Sequence, residues 1–537
     1  MPIVPTYPGV YVEETPGGVP SSVGVATSIA AFVDTFRRGL LNAAVRISSY
    51  GELEREFGGL DESSAASYGV QQFFLNGGRD VYVVRVGTDP IAAAAALLTG
   101  VDGDIVNARA GHRIGGKTEL SPGTWGNAIQ VEVDHDTALP DPSVDPTGVE
   151  DPAELFNLTV VETEAGSGGG VVRHTEAFQN LTMRPGTLNY AIEVVNAGSR
   201  LIQLDRDGLV AIPVPFPITF RPEEQRQALA GGADSGALDA GALRGVRKDK
   251  TGLFALEDVD LFNILCLPAA AELGDSDMRT VYAAAEAYCE ERRAFLIVDL
   301  PPGVRDVAAM ETWLADNETL RHRNAAVYFP RVHIRDPLNQ NQLRSVAASG
   351  TMAGLYASTD LARGVWKAPA GRDARLLNVQ GLDYGLTGPE NDSLNRLGIN
   401  CLRHFMGFGY VAWGSRTLDG ADQSASEWKY VPVRRLALFL EESINRGIEW
   451  AVFEPNDERL WARIRVTVGN FMQDLFRQGA LQGRTPQEGY VVKCDATTTT
   501  QADIDGGVVN VLVGFAPLKP AEFVVILIQQ LAGKIPP

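Results

Sequence analysis

One stretch of this chain carries the letters of a phosphate-binding loop: Gly111-His112-Arg113-Ile114-Gly115-Gly116-Lys117-Thr118 satisfies GxxxxGK[ST]. Such a loop holds phosphates only when a helix begins behind it, because the free amides of the helix N-terminus bind the anion. Here Glu119-Leu120-Ser121-Pro122-Gly123 follows, and Pro122 with Gly123 stops a helix within its first turn. The motif lacks its helix, and a nucleotide-binding enzyme is kept only as a competing reading that rests on Gly111 to Thr118. No GxSxG nucleophile elbow occurs. The six histidines form no HExxH, and His174-Thr175-Glu176 lacks the PCxxC half of a deaminase site. His322 and His333, eleven apart among arginines, read as structural. Cys266, Cys289, Cys401 and Cys494 form no CxxC and read as reduced thiols. No catalytic residue, metal or cofactor is expected, so the chain is not read as an enzyme.

The elements that would position any site must then be sought in the organisation of the chain. At 537 residues it should divide into several domains, and 45% hydrophobic with 21% charged residues is ordinary globular usage. A net charge of -20 opposes general binding to nucleic acid or anionic lipid. The first basic residue is Arg37 and no apolar leader precedes it, so a protein made and kept in the cytoplasm is expected. Apolar stretches such as Pro90 to Val101 are too short to span a bilayer.

Residues 1–24 hold five prolines around the alternating Val10-Tyr11-Val12-Glu13, the pattern of an edge strand or detached arm. From 25 to 88, strands alternate with helices (Tyr50 to Phe57, Ser64 to Leu75), the signature of an α/β unit. Residues 89–252 break that rhythm with Pro and Gly clusters and short alternating runs, a β-rich insertion. It carries 23 acidic and 13 basic residues, as a solvated outer surface would. The α/β pattern resumes over 253–351, so the two halves are expected to share one sheet. A further α/β unit is expected over 352–515, with a helical hairpin whose second helix Asn456 caps. The tail 516–537 contains Phe523-Val524-Val525-Ile526-Leu527-Ile528, an uncharged run of high β-propensity that a native chain must pair. Strand exchange between subunits is the functional alternative to a strand within its own subunit.

Three motifs then carry a resemblance: Tyr7-Pro8-Gly9-Val10-Tyr11-Val12-Glu13-Glu14 at the start, Ser121-Pro122-Gly123-Thr124-Trp125-Gly126-Asn127, and the block from Tyr410-Val411-Ala412-Trp413-Gly414-Ser415-Arg416-Thr417-Leu418 through Arg434-Arg435-Leu436 to Glu454-Pro455-Asn456. Together they resemble contractile tail sheath proteins of phage tails, R-type pyocins and phage-tail-like extracellular injection systems. The resemblance implies a multidomain α/β fold with terminal arms that add strands to neighbouring subunits. It implies a helical sheath of many copies around an inner tube, with baseplate and terminal cap proteins as further partners, contracting without cofactor or nucleotide. It implies assembly in the bacterial cytoplasm, with release by lysis. Tyr7, Val10, Tyr11, Val12 and Glu13, with Phe523 to Ile528, are the expected strand-addition residues. The hairpin region 434–484 has eight basic and seven acidic residues in an otherwise acidic chain, so Arg446, Arg459, Arg463, Arg465 and Arg477 are its candidates for facing the tube. A surface-array protein would also self-assemble, but should carry an export signal.

Overall fold

The computed structural model describes residues 24–114, 117–138, 151–164 and 171–522. Its centre is an eight-stranded sheet ordered Ala44–Ile47, Val81–Arg85, Ala30–Asp34, Ile264–Cys266, Phe295–Val298, Ala325–Phe329, Asn400–Phe405 and Gly409–Ala412. The six inner strands run parallel and each edge strand is antiparallel to its neighbour. Runs such as Ala-Ala-Phe-Val at 30–33 and Phe-Leu-Ile-Val at 295–298 are apolar at every position because helices cover both faces. Ala65–Leu75 and Ser349–Arg363 lie on one face, Asp275–Glu291 and Val307–Asp316 on the other. The first pair touches at two glycines: a Cβ on Gly350 would stand 2.2 Å from the Gly69 carbonyl oxygen, so a larger residue would part the helices.

The strands before and after residues 89–252 thus join one sheet. The intervening segment returns to the central unit before 252, where Leu243, on helix Ala240–Arg244, packs in that unit's core, but most of it is a separate β layer. It holds two four-stranded sheets, one ordered Ile202–Asp205, Gly103–Ile114, Ala95–Gly100 with Lys117–Leu120 also paired to Gly103–Ile114, the other Gln225–Ala228, Ile129–Asp134, Leu155–Glu164, Val171–Thr182. They close over their own core with helix Ala191–Gly198.

Beyond it, two expectations shift. The boundary placed at 352 falls inside a helix of the central unit, and the sheet continues to Ala412, because Asn400–Phe405 pairs in parallel with Ala325–Phe329. The hairpin helices are Val431–Gly447 and Glu458–Arg477, but Asp457 caps the second, accepting from the amides of Arg459 and Leu460. Asn456 instead accepts from the Trp461 indole at 2.8 Å and donates to the Val508 carbonyl. Tyr490–Lys493 and Leu512–Phe515 form a two-stranded sheet against the second helix.

Candidate assembly surfaces

The phosphate-loop letters fall on two paired strands. Gly111 to Ile114 end one strand, Lys117 to Leu120 begin the next, and they run antiparallel. No helix starts there; the Thr118 hydroxyl donates to the Ser199 carbonyl and His112 pairs with Glu56 at 2.5 Å. The described letters of the motif are thus two antiparallel strands, and among the described residues no helix follows Lys117 and Thr118 to bind a phosphate.

In open α/β sheets a ligand usually sits where the strand order reverses, at the carboxyl ends of the strands. Here the order reverses beside Ala30–Asp34, and the chain fills that place itself. Asp34 accepts from the amides of Ala66 and Thr35 at 2.6 and 2.7 Å, and Asp299 from that of Ser349 at 2.8 Å. Both serve helix N-termini. Burial pushes their carboxyls up, to about 7 for Asp34 and about 6 for Asp299.

The Ser121 to Asn127 motif fastens the insertion to the central unit. The Ser121 hydroxyl accepts from the Gly39 amide at 3.0 Å, and buried Arg85 donates to the carbonyls of Gly39 and Pro122 at 2.8 and 2.7 Å. Gly123 is at φ 134, and a Cβ on Gly126 would lie 2.6 Å from that of Ala110. The motif reads as a weld, which explains its two glycines and its buried Ser121.

The third motif block holds the chain where both terminal segments leave the described structure. Arg416, 1% exposed, donates to both carboxylate oxygens of Glu522 at 2.8 and 2.6 Å and to Asp422 at 2.8 Å. The Tyr430 hydroxyl reaches the same Glu522 at 3.3 Å. At the other terminus Arg435 grips Asp360 through two bonds, 2.9 and 2.7 Å, and donates to the Thr27 carbonyl at 2.8 Å. Ser443 accepts from the Val25 amide, and Gly24 lies against Phe439. Both roots are therefore tied to helix Val431–Gly447 or the residue that precedes it. Sequence reasoning quoted these arginines only as letters of a motif. Their signal was an Arg set among small and apolar residues, Gly414-Ser415-Arg416 and Arg435-Leu436-Ala437-Leu438, where a cation must find partners.

The expected strand-addition residues, Tyr7, Val10, Tyr11, Val12, Glu13 and Phe523 to Ile528, lie outside the described residues. What the structure shows nearby is a sheet of only two strands. Among the described residues no third strand pairs with either edge of Tyr490–Lys493 and Leu512–Phe515. The Ala516 amide donates to Gly489, which fixes the ladder: Val491 and Lys493 exchange bonds with Gly514 and Leu512, while the amides of Val492, Val513 and Phe515 point outward and that of Tyr490 donates to the Pro486 carbonyl. Tyr490 and Phe515 pack on the helix core below, and Val491 and Leu512 are exposed.

The five candidate arginines separate. Arg446 is held by Asp260 and Glu442 at 2.8 and 2.7 Å, and Arg465 by Glu458 at 2.7 Å and the Cys494 carbonyl. Arg459, Arg463 and Arg477 remain on the outer face of Glu458–Arg477, in one stripe with Val466 and Asn470. Arg463 lies over the Trp450 ring at 4.3 Å, Arg477 stands 3.6 Å from Asp474, and Arg459 has no partner among the described residues. At the hairpin tip Phe453 is fully exposed at φ 67, a strained aromatic that periodicity could not reveal.

Buried clamps, a two-stranded sheet and a charged helix face are thus the features that the described residues offer in place of a catalytic pocket. Residues 247–418 match the phage tail sheath protein central domain and 423–530 the phage tail sheath C-terminal domain, together just over half of the chain. The chain belongs to the phage tail sheath family. A curated relative, the tail sheath protein of Vibrio phage KVP40, is 30% identical over 180 residues, a match that spans 33% of this chain and a quarter of the relative's length. In fold it is similar to the helical sheath of the anti-feeding prophage in the contracted state (22% identity, 98% of this chain and 100% of that one, TM-score 0.56). It is likewise similar to the contracted sheath of the PVC extracellular contractile injection system (20%, 98% of each chain, 0.57) and to a sheath tail protein from Listeria innocua (12%, 93% and 96%, 0.59).

Proposed function

We propose that this chain is the sheath subunit of a contractile, phage-tail-like device, polymerising around an inner tube and shortening to drive that tube through a target envelope. The observation that carries this reading is the two-stranded sheet with outward amides on both edges, near the clamps at Arg416, Tyr430 and Arg435 that hold both terminal roots. A sheet of two strands is marginal alone, and strands from neighbouring copies, Val10 to Glu13 and Phe523 to Ile528, complete it. Each added strand supplies several main-chain hydrogen bonds worth ~0.5 to 1.5 kcal/mol net apiece, and the lattice repeats them in every copy. Because the clamps hold the roots while the arms beyond them reach out, subunits can rotate during contraction without losing their links. Arg459, Arg463 and Arg477 face the tube, and the insertion forms the outer ridge. Baseplate and cap proteins terminate the polymer, assembly takes place in the bacterial cytoplasm, and the lattice itself stores the energy of firing.

Removal of residues 1–24 tests this. The truncated chain should remain a folded monomer by circular dichroism and sedimentation yet form no tubes under negative stain. Normal tubes from the truncated chain would refute strand exchange.

A further inference from the structure

In a chain of net charge -20, one cleft is lined chiefly by guanidinium groups. It opens between the central unit and the insertion, with a volume of about 640 Å³. Arg38 and Arg55 come from one side, Arg113, Arg173 and Arg200 from the other, and Arg37 stands in the adjoining recess. Two carboxylates share the wall and are already engaged, Glu56 with His112 at 2.5 Å and Glu162 with Arg38 at 3.2 Å. Four of the arginines are held loosely or not at all. Arg55 is 3.7 Å from Glu52, Arg113 reaches only the Gly198 carbonyl at 3.4 Å, and the side chains of Arg37 and Arg200 make no hydrogen bond or ion pair among the described residues. Cations gathered this way repel one another unless an anionic surface meets them.

The same strand that brings Arg113 into the cleft ends, at its other terminus, in the opposite charge. Asp102 and Asp104 are exposed on the turn that opens Gly103–Ile114, and Glu223 and Glu224 are exposed beside them, joined through the Glu223 amide to the Thr99 carbonyl at 2.9 Å. The Thr219 hydroxyl donates to Asp102 at 2.5 Å and His135 stands 3.9 Å from Glu224, but no Lys or Arg pairs with these four carboxylates among the described residues. From Asp104 to His112 is eight residues of strand, about 27 Å. The two ends cannot meet within one subunit.

We propose that the arginine cleft of one copy receives the acidic end, Asp102, Asp104, Glu223 and Glu224, of a second copy. The contact is head to tail, the kind that builds an open polymer rather than a closed dimer. It offsets the repulsion that subunits of -20 would otherwise accumulate, and it acts at the insertion, away from the arms. It rests on the sheath reading.

The test is charge exchange in the full chain. Arg55→Glu with Arg113→Glu and Arg200→Glu, or Asp102→Lys with Asp104→Lys and Glu223→Lys, should each raise the concentration at which polymer forms by about tenfold at low salt, and added salt should narrow the difference. One chain carrying all six changes should return to within about threefold of wild type, because complementarity is restored with its sign reversed. Arg55→Gln with Arg113→Gln and Arg200→Gln, which perturbs folding less, should raise it by about threefold. Thermal unfolding of each variant identifies any loss due to misfolding. If wild type polymerises and the reversals do so at the same concentration, or if the six-change chain recovers nothing, the contact is refuted. A wild-type chain that never polymerises overturns the sheath reading and this contact with it.

Discussion

The eight-stranded sheet and the two-stranded sheet treat their backbone in opposite ways. In the first, helices cover both faces, short antiparallel strands close both edges, and even the ligand crevice of such sheets is filled by Asp34 and Asp299. In the second, one face rests on Glu458–Arg477 while the outward amides of Val492, Val513 and Phe515 have no strand to meet among the described residues. Edges left open are normally an aggregation hazard. On the proposed function that property is put to use, a closed unit giving the subunit its rigidity and an open one giving it neighbours.

The largest effect should come from closing that opening. Val492→Pro with Val513→Pro removes one outward donor from each edge and leaves the inner ladder's own bonds in place. Polymerisation should be abolished in a sedimentation assay while the central unit still unfolds cooperatively; tubes that form as before would mean the edges are not used.

Next is the clamp that joins the two regions. Arg435 and Asp360 are each 3% exposed, so Arg435→Ala leaves a buried carboxylate without its cation and should cost about 3–5 kcal/mol in denaturant unfolding. Arg435→Met combined with Asp360→Leu should recover most of this, because the buried charge is gone. Equal losses in both variants would show that the geometry of the helix, not the charge, is what matters.

A smaller effect sharpens the closed side. Glu286, on the helix Asp275–Glu291, is 6% exposed and its Oε1 has no partner, so burial pushes its carboxyl from 4.5 up to about 8. The folded state therefore holds a proton that the unfolded chain has lost. That contribution is full below pH ~4.5 and is lost as pH rises through ~8. Glu286→Gln should flatten the stability profile across this window and add about 1–3 kcal/mol at pH 8. An unchanged profile would place the charge in contact with water.

The smallest concerns the exposed stripe. Arg459→Glu with Arg463→Glu and Arg477→Glu should weaken tube binding about tenfold without moving the melting temperature, and wild-type binding should itself weaken as salt rises. Binding indifferent to both would remove these residues from the tube interface.

Much of the closed region was legible in the letters. Tyr50–Phe57 has the limits its pattern implied, with Ser49 accepting from Glu52 at one end and Gly58 at φ 88 at the other. The apolar runs 81–86 and 294–299 imply covered strands, and the strands found there are Val81–Arg85 and Phe295–Val298. The false phosphate loop was readable too, because Pro122 and Gly123 are local facts about which backbone can follow. Less was legible in the open region. The cap moved from Asn456 to Asp457, since either side chain could serve and the tertiary contacts with Trp461 and Val508 chose between them.

By itself, then, the sequence determined what depends on neighbours along the chain: helix caps, strand periods, proline-rich ends and the excess of acid, together with motif letters that resemble a sheath. Only the tertiary structure decided what depends on residues far apart. Arg416 meets Glu522 across 106 residues, Arg435 meets Asp360 across 75, and Asn400–Phe405 joins a sheet whose first strand lies some 370 residues earlier. No local pattern encodes such pairings, because a buried charge specifies that it needs a partner and leaves the choice of partner to the fold.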